Sequence, residues 1–256
     1  MIIDCVTYNG EKELFEIRYN ILKDFVDLFV VVEFDKTFSG KPKESLFLKD
    51  YGVKEKVFYH WHTEDFYNKY RDTASASVNA QGAEHWKREF CQKESIKDAL
   101  AVSEMEDDDI VFIGDVDEIP DFRVIPVDID FVVKLKLRVY TYFLNNLSNE
   151  EFYGTICGKY KDIKDKCLNH VRSIDATRVN NYLGWHFTSM AHRLEKKLKD
   201  SYTEESYATS QVMTNLEENI KQNKDFLGRN FEYKISEEDW PPWLKENRGR
   251  YLHLLK

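Results

Sequence analysis

The chain has 256 residues, 37 Lys and Arg against 46 Asp and Glu for a net charge of −9, with 42% hydrophobic and 32% charged residues. That balance excludes a nucleic-acid coat, which needs a basic face, and 10 Gly with 5 Pro exclude a collagen-like or low-complexity chain. No stretch approaches the roughly 18 apolar residues of a membrane span, and Met1-Ile2-Ile3-Asp4-Cys5-Val6 starts a strand with no basic leader, so the expectation is a cytoplasmic protein without a transmembrane segment.

In chain order, residues 2–8 read as an apolar strand followed by an Asn9-Gly10 turn. Leu14, Ile17, Ile21 and Leu22 recur at helical spacing, and Phe29-Val30-Val31-Val32 makes a buried strand ending at Glu33. Strand, helix and strand in so short a span predict a βαβ unit and a parallel sheet. Lys56 to Tyr59 reads as a third strand, with His60-Trp61-His62 as its end, and the polar segment 62–82 reads as a mobile loop. A helix is expected from Ala83 to about Met105, then the strand Ile110-Val111-Phe112-Ile113 and the turn Gly114-Asp115-Val116-Asp117-Glu118-Ile119-Pro120. Residues 131–144 alternate as strands of a mixed sheet, Gly184-Trp185-His186-Phe187 forms a short apolar segment, and 190–225 reads as charged helix. Four scattered cysteines without a CxxC predict reduced thiols. With no repeat and no linker, one α/β domain over 1–256 is expected, its central sheet mostly parallel and flanked by helices.

The sharpest chemical signal is Asp115-Val116-Asp117 at the carboxyl end of a buried strand, where ligands collect in open α/β sheets. Two carboxylates one residue apart can face one hard cation, Mn²⁺ or Mg²⁺, that bridges to substrate phosphates. The bland alternative is a capped or solvated turn. An EF-hand fails on spacing, whereas a phosphotransferase with a nucleophilic Asp stays open. Glu33, ending the second strand, can accept hydrogen bonds from a nucleoside, though the Gly-rich dinucleotide fingerprint is absent. Arg88, on the helix before the acidic turn, can hold a diphosphate in bidentate fashion or can face solvent. His186, among apolar neighbours, reads by itself as a core residue.

Taken together these pieces resemble glycosyltransferase family 17. The resemblance runs through Met1-Ile2-Ile3-Asp4-Cys5, Leu14-Phe15-Glu16-Ile17-Arg18, Val26 to Glu33, Thr37-Phe38-Ser39-Gly40-Lys41-Pro42, the Asp115-Val116-Asp117-Glu118-Ile119-Pro120 box, Gly184-Trp185-His186-Phe187 and Pro242-Trp243-Leu244-Lys245. It implies a GT-A type nucleotide-sugar-binding fold, a donor such as UDP-GlcNAc and inverting transfer to a hydroxyl of a glycan acceptor. Residues 1–120 would form the nucleotide-binding half and 121–256 the acceptor half. Asp115 would meet the ribose or a metal-bound water, and Asp117 and His186 the metal. Glu118 and Glu205 are the two candidates for the base. The expectation is that the chain departs from the animal Golgi members in lacking a membrane anchor, and it carries Thr203 where relatives often place His. The competing expectations are a carbohydrate-binding module without turnover and a metal-dependent hydrolase. Neither the acceptor nor the oligomeric state has a signature.

Overall fold

The structure, a computed structural model, describes residues 1–76, 84–125, 129–202 and 207–256. β1 (Ile2–Thr7) and β2 (Leu28–Phe34) are Val- and Ile-rich runs buried on both faces, as parallel strands covered by helices must be. α1 (Lys12–Leu22) connects them, burying Leu14, Phe15, Ile17 and Leu22. α2 (Leu46–Tyr51) and β3 (Val57–His62) follow, and then α3 (Glu64–Ala76), α4 (Glu84–Glu94) and α5 (Ile96–Ala101) lead to β4 (Ile110–Asp115). These four strands are parallel in the order β3-β2-β1-β4, and Thr7 lies opposite Asp115, so β1 and β4 end at one edge.

The expected mobile loop over 62–82 is corrected for most of its length: residues 64–76 are helical, while 77–83 lie outside the described residues. Tyr67, Tyr70 and Ala74 share one face and pack with Phe34, Phe90 and Cys91, a narrow apolar stripe that the polar composition concealed.

Past β4 come β5 (Glu118–Pro120), β6 (Val133–Thr141), β7 (Asn146–Ser148), β8 (Phe152–Lys159), α6 (Tyr160–Ile163), α7 (Leu168–His170) and a π-helical turn over Val171–Asp175. The chain continues as β9 (Thr177–Thr188), α8 (Ala191–Ser201), α9 (Ser210–Gln222), β10 (Tyr233–Ile235) and α10 (Pro242–Glu246), and a 3-10 segment covers Arg248–Leu254. The sheet order is β10-β7-β6-β8-β4-β1-β2-β3, with β9 parallel to β6 and β5 antiparallel to β9. The sheet is therefore mixed, not mostly parallel. The β6–β7 connection is too short for a crossover helix, so the chain turns back antiparallel on β6, which pairs antiparallel with both β7 and β8.

Two hydrophobic layers cover the parallel strands, set by their two-residue alternation. Val6, Phe29 and Val31 face one layer with Phe15, Trp185 and Phe187, while Ile3, Cys5, Val30 and Val32 face the other with Ile96, Leu100 and Val111. Among the described residues no helix is long and apolar enough to cross a membrane.

Candidate active site

Where β1 and β4 end together, a cavity of about 250 Å³ opens among residues that include Asn9, Glu89, Lys93, Asp115, Asp117, Arg172, His186 and Lys197. The acidic turn forming its floor is fastened from beneath. Arg18 on α1, fully buried, donates from Nε to Asp4 Oδ2 at 2.7 Å. Its Nη1 reaches the carbonyl oxygens of Glu118 at 2.5 Å and Asp115 at 3.1 Å. A buried guanidinium needs such a full set of acceptors. Gly114 is required because a Cβ there would strike Thr155 Oγ1 and Glu118 Oε2.

His186 reaches the cavity through strand alternation. Trp185 and Phe187 enter the apolar core, which turns His186 to the opposite side, in register with Glu118 of β5 and stacked on Phe152 with centroids 4.2 Å apart. Gly184 lets β9 approach β5, since a Cβ would meet the Ile119 carbonyl oxygen. The sequence separation between Asp117 and His186 is thus closed by the β5–β9 pairing.

Each carboxylate of the turn meets its own cations. Asp115 Oδ1 lies 3.5 Å from Lys93 Nζ, and its Oδ2 accepts from Arg172 Nη2 at 3.0 Å. Asp117 Oδ1 lies 3.5 Å from His186 Nε2 and its Oδ2 3.6 Å from Lys197 Nζ. Burial pushes both carboxyls up, but Lys93 and Arg172 outweigh it at Asp115, and Lys197 and His186 at Asp117, so both stay below the ordinary Asp range. Burial likewise pushes His186 down, and the Asp117 charge and hydrogen bond more than reverse it, leaving the imidazole above its ordinary value. Lys197 is also raised, with burial opposed by Asp117.

Asp117 and His186 present an oxygen and a nitrogen on one wall, not far from the roughly 3 Å between neighbouring ligands of an octahedral ion. His186 Nδ1 is buried and has no hydrogen-bond partner among the described residues, which supply no oxygen acceptor of the kind expected for a ligating imidazole's second nitrogen. Among the described residues no group of three or more His, Cys, Asp or Glu forms a cage. The pair fits a cation that takes its remaining ligands from substrate and water.

Two expected site residues fall elsewhere, and a third lines the cavity in a different capacity. Glu33 is fully buried and spent on the fold: Oε1 accepts from Lys43 Nζ at 2.8 Å and the Leu46 amide at 2.9 Å, Oε2 from the Phe47 amide at 3.0 Å and Tyr59 OH at 3.1 Å. It starts α2 and does not line the cavity. Arg88 lies against Gly40 and 5.0 Å over the Tyr67 ring, also outside the cavity lining. Of the same helix, Glu89, the next residue, and Lys93, five residues on, line the cavity instead. Glu118 is fully buried, ion-paired to Arg172 and accepting from Thr155 Oγ1 at 3.1 Å and the Asp115 amide at 3.3 Å, so it anchors Arg172 rather than offering a free base. Glu205 lies in 203–206, outside the described residues.

Sequence reasoning missed Lys93, Arg172 and Lys197. Arg172 sits in the π-helical turn, which has no periodic signature, and Lys197 is one of several lysines on α8. Of the residues carrying the resemblance, Asp4 and Arg18 prove to be the ones that hold the acidic turn in place.

The model of glycosyltransferase family 17 matches residues 1–227. The chain belongs to this family. No curated protein matches the chain. Among solved structures, a galactosyltransferase, LgtC, in complex with donor and acceptor sugar analogues is 9% identical over 66% of this chain and 61% of that chain, with a TM-score of 0.33. The match thus spans less than two thirds of LgtC. The CTP:phosphocholine cytidylyltransferase LicC from Streptococcus pneumoniae is 13% identical over 71% of this chain and 90% of that chain, with a TM-score of 0.30. Both likenesses are too distant to carry an argument about the reaction. For this family 17 chain, the acidic turn and His186 meet at one cavity, whereas Glu33 and Arg88 belong to its supporting frame.

Proposed function

We propose that this family 17 chain is a metal-dependent inverting glycosyltransferase of GT-A type that moves GlcNAc from UDP-GlcNAc to a hydroxyl of a glycan acceptor. The observation that carries the reading is the convergence of Asp117, His186 and Lys197 where β1 and β4 end. Family membership supplies the transfer chemistry. In this reading Asp117 and His186 would hold Mn²⁺ or Mg²⁺, and Asp115 would meet the ribose. The ion would supply Lewis-acid stabilisation of the charge on the departing UDP. Lys197, beside Asp117, adds a fixed positive charge near the same position. Lys93 and Arg172 keep Asp115 ionised and oriented.

Inversion at C1 requires the acceptor hydroxyl to attack from the face opposite UDP while a carboxylate takes its proton. Glu118 is committed to Arg172, and Glu205 is the remaining candidate base. Phe152, stacked on His186 at the cavity wall, offers an apolar face to a sugar ring, whereas Tyr140 and Tyr142 are core residues. Residues 1–120 would carry the nucleotide and 121–256 the acceptor, with cavity walls drawn from both.

Thermal unfolding with UDP tests the donor assignment. With Mn²⁺ present, UDP at ~100 times its dissociation constant should add about 2.7 kcal/mol, and without a divalent ion it should add little. An equal shift from GDP, or none from UDP with Mn²⁺, overturns the assignment. Release of UDP from UDP-GlcNAc only when an acceptor is present separates a transferase from a hydrolase, and no release at all marks a binding module.

A further inference from the structure

Behind the wall formed by Lys93 and Arg172 lies a second cavity of about 310 Å³, lined by Trp86, Glu89, Lys93, Lys134 and Arg172 among others. It shares Glu89, Lys93 and Arg172 with the first cavity. The ring of Trp86 packs 5.6 Å from that of Tyr202, itself a lining residue of the first cavity, so the two spaces adjoin.

The charges around this second cavity are uneven. Lys93 is matched by Glu89 at 2.8 Å and by Asp115, and Arg172 is matched by Asp115 and Glu118. Lys134, half-buried on β6, makes no ion pair among the described residues. Burial lowers its affinity for a proton and the nearby Arg172 and Arg178 lower it further, while only Glu118 opposes them. A cation with no carboxylate of its own, pressed by two others, is best relieved by an incoming anion. Trp86 adds a flat apolar face beside it, the usual complement of a sugar ring's C–H surface.

We infer that this second cavity is a subsite for an acidic acceptor sugar, with Lys134 meeting its carboxylate or phosphate beside the paired Arg172, and Trp86, contributed from the nucleotide half, packing on its ring. The inference rests on the transferase reading above. It narrows the acceptor to a glycan carrying a negative charge near the hydroxyl that reacts. The donor sugar of that reading, GlcNAc, is uncharged and has no use for this site.

Calorimetric titration of the full chain tests it with three probes: a disaccharide ending in glucuronic acid, the same disaccharide ending in glucose, and the latter 6-phosphorylated. At least one acidic probe should bind about 10- to 100-fold tighter than the neutral one, the range for a charge-assisted hydrogen bond. Lys134→Gln should shrink that preference to about threefold or less, and Trp86→Ala should weaken acidic and neutral probes alike. Thermal unfolding confirms that each variant folds, and Lys134→Arg, which keeps the charge, should retain the preference. Equal binding of acidic and neutral probes overturns the inference, as does a preference that survives Lys134→Gln. A Lys134-dependent preference for UDP-glucuronic acid over UDP-GlcNAc overturns the acceptor assignment by moving the site to the donor. UDP release from UDP-GlcNAc, measured in parallel, reports on the transferase reading separately. Release that persists without an acidic preference overturns this inference alone, and an acidic preference without UDP binding or release overturns the transferase reading instead.

Discussion

The two carboxylates of the acidic turn sit one residue apart but live in different surroundings. Asp115 is clasped by Arg172 at 3.0 Å, and Arg172 is in turn held by the fully buried Glu118, so this wall is a closed ionic lattice. Asp117 faces His186 at 3.5 Å and Lys197 at 3.6 Å, contacts long enough to be exchanged for a ligand. In the proposed reading one wall holds still and the other receives the ligand. The contrast extends to the buried histidines: Asp117 raises His186 above its ordinary value, whereas His62 at the end of β3 is pushed down to about 3, by burial first and then by His60 and Lys69.

The sharpest test compares the two candidate bases. Glu205→Gln is expected to lower transfer by roughly 10²–10⁴-fold with UDP binding retained, whereas Glu118→Gln should act chiefly on stability by loosening Arg172. Initial rates together with melting curves read both. Full transfer activity in Glu205→Gln would place the base elsewhere.

Breaking the receiving wall comes next. Asp117→Asn and His186→Ala should each cost on the order of 10²–10³-fold in transfer and abolish the effect of Mn²⁺ on UDP binding, with the fold intact. If His186→Ala instead lowers the melting temperature and leaves metal-linked UDP binding unchanged, the imidazole is a packing residue.

Breaking the closed wall should look different. Arg172→Met leaves the buried Glu118 without its guanidinium and Asp115 with Lys93 alone, and chemical denaturation should show a loss of about 3 kcal/mol. A stable Arg172→Met variant that loses only activity would mean that Arg172 belongs to the receiving wall.

The smallest expected effect belongs to His62. Its folded pKa is depressed, so its contribution to stability is present above the unfolded value near 6.5 and is lost as pH falls toward about 3. Between pH 7 and pH 5 the wild type should lose about 1–2 kcal/mol more than His62→Gln, as read from denaturant midpoints. Parallel losses in the two proteins would show that the imidazole protonates freely in the folded state.

Local pattern carried much of the reading. The parallel strands were legible because a strand buried on both faces must be written as a continuous apolar run, as Phe29 to Val32 is. The acidic turn was legible as two carboxylates one residue apart at the end of an apolar strand. Family membership was legible in the same boxes and is borne out over residues 1–227.

What pattern alone could not supply was partnership across long separations. Glu33 and Arg88 have the residue types a nucleotide site needs, but Glu33 is consumed by two amides, Lys43 and Tyr59, and Arg88 packs against Gly40 and Tyr67. Nothing local marks Arg172 or Lys197 among the other cations, and they matter only because the π-helical turn that follows the β4-paired β8, and α8, return them to the end of β4. The residue types and local periods were in the sequence. Which charges meet was decided by the tertiary structure, because ion pairs and hydrogen bonds act over a few ångströms in space, whatever the distance along the chain.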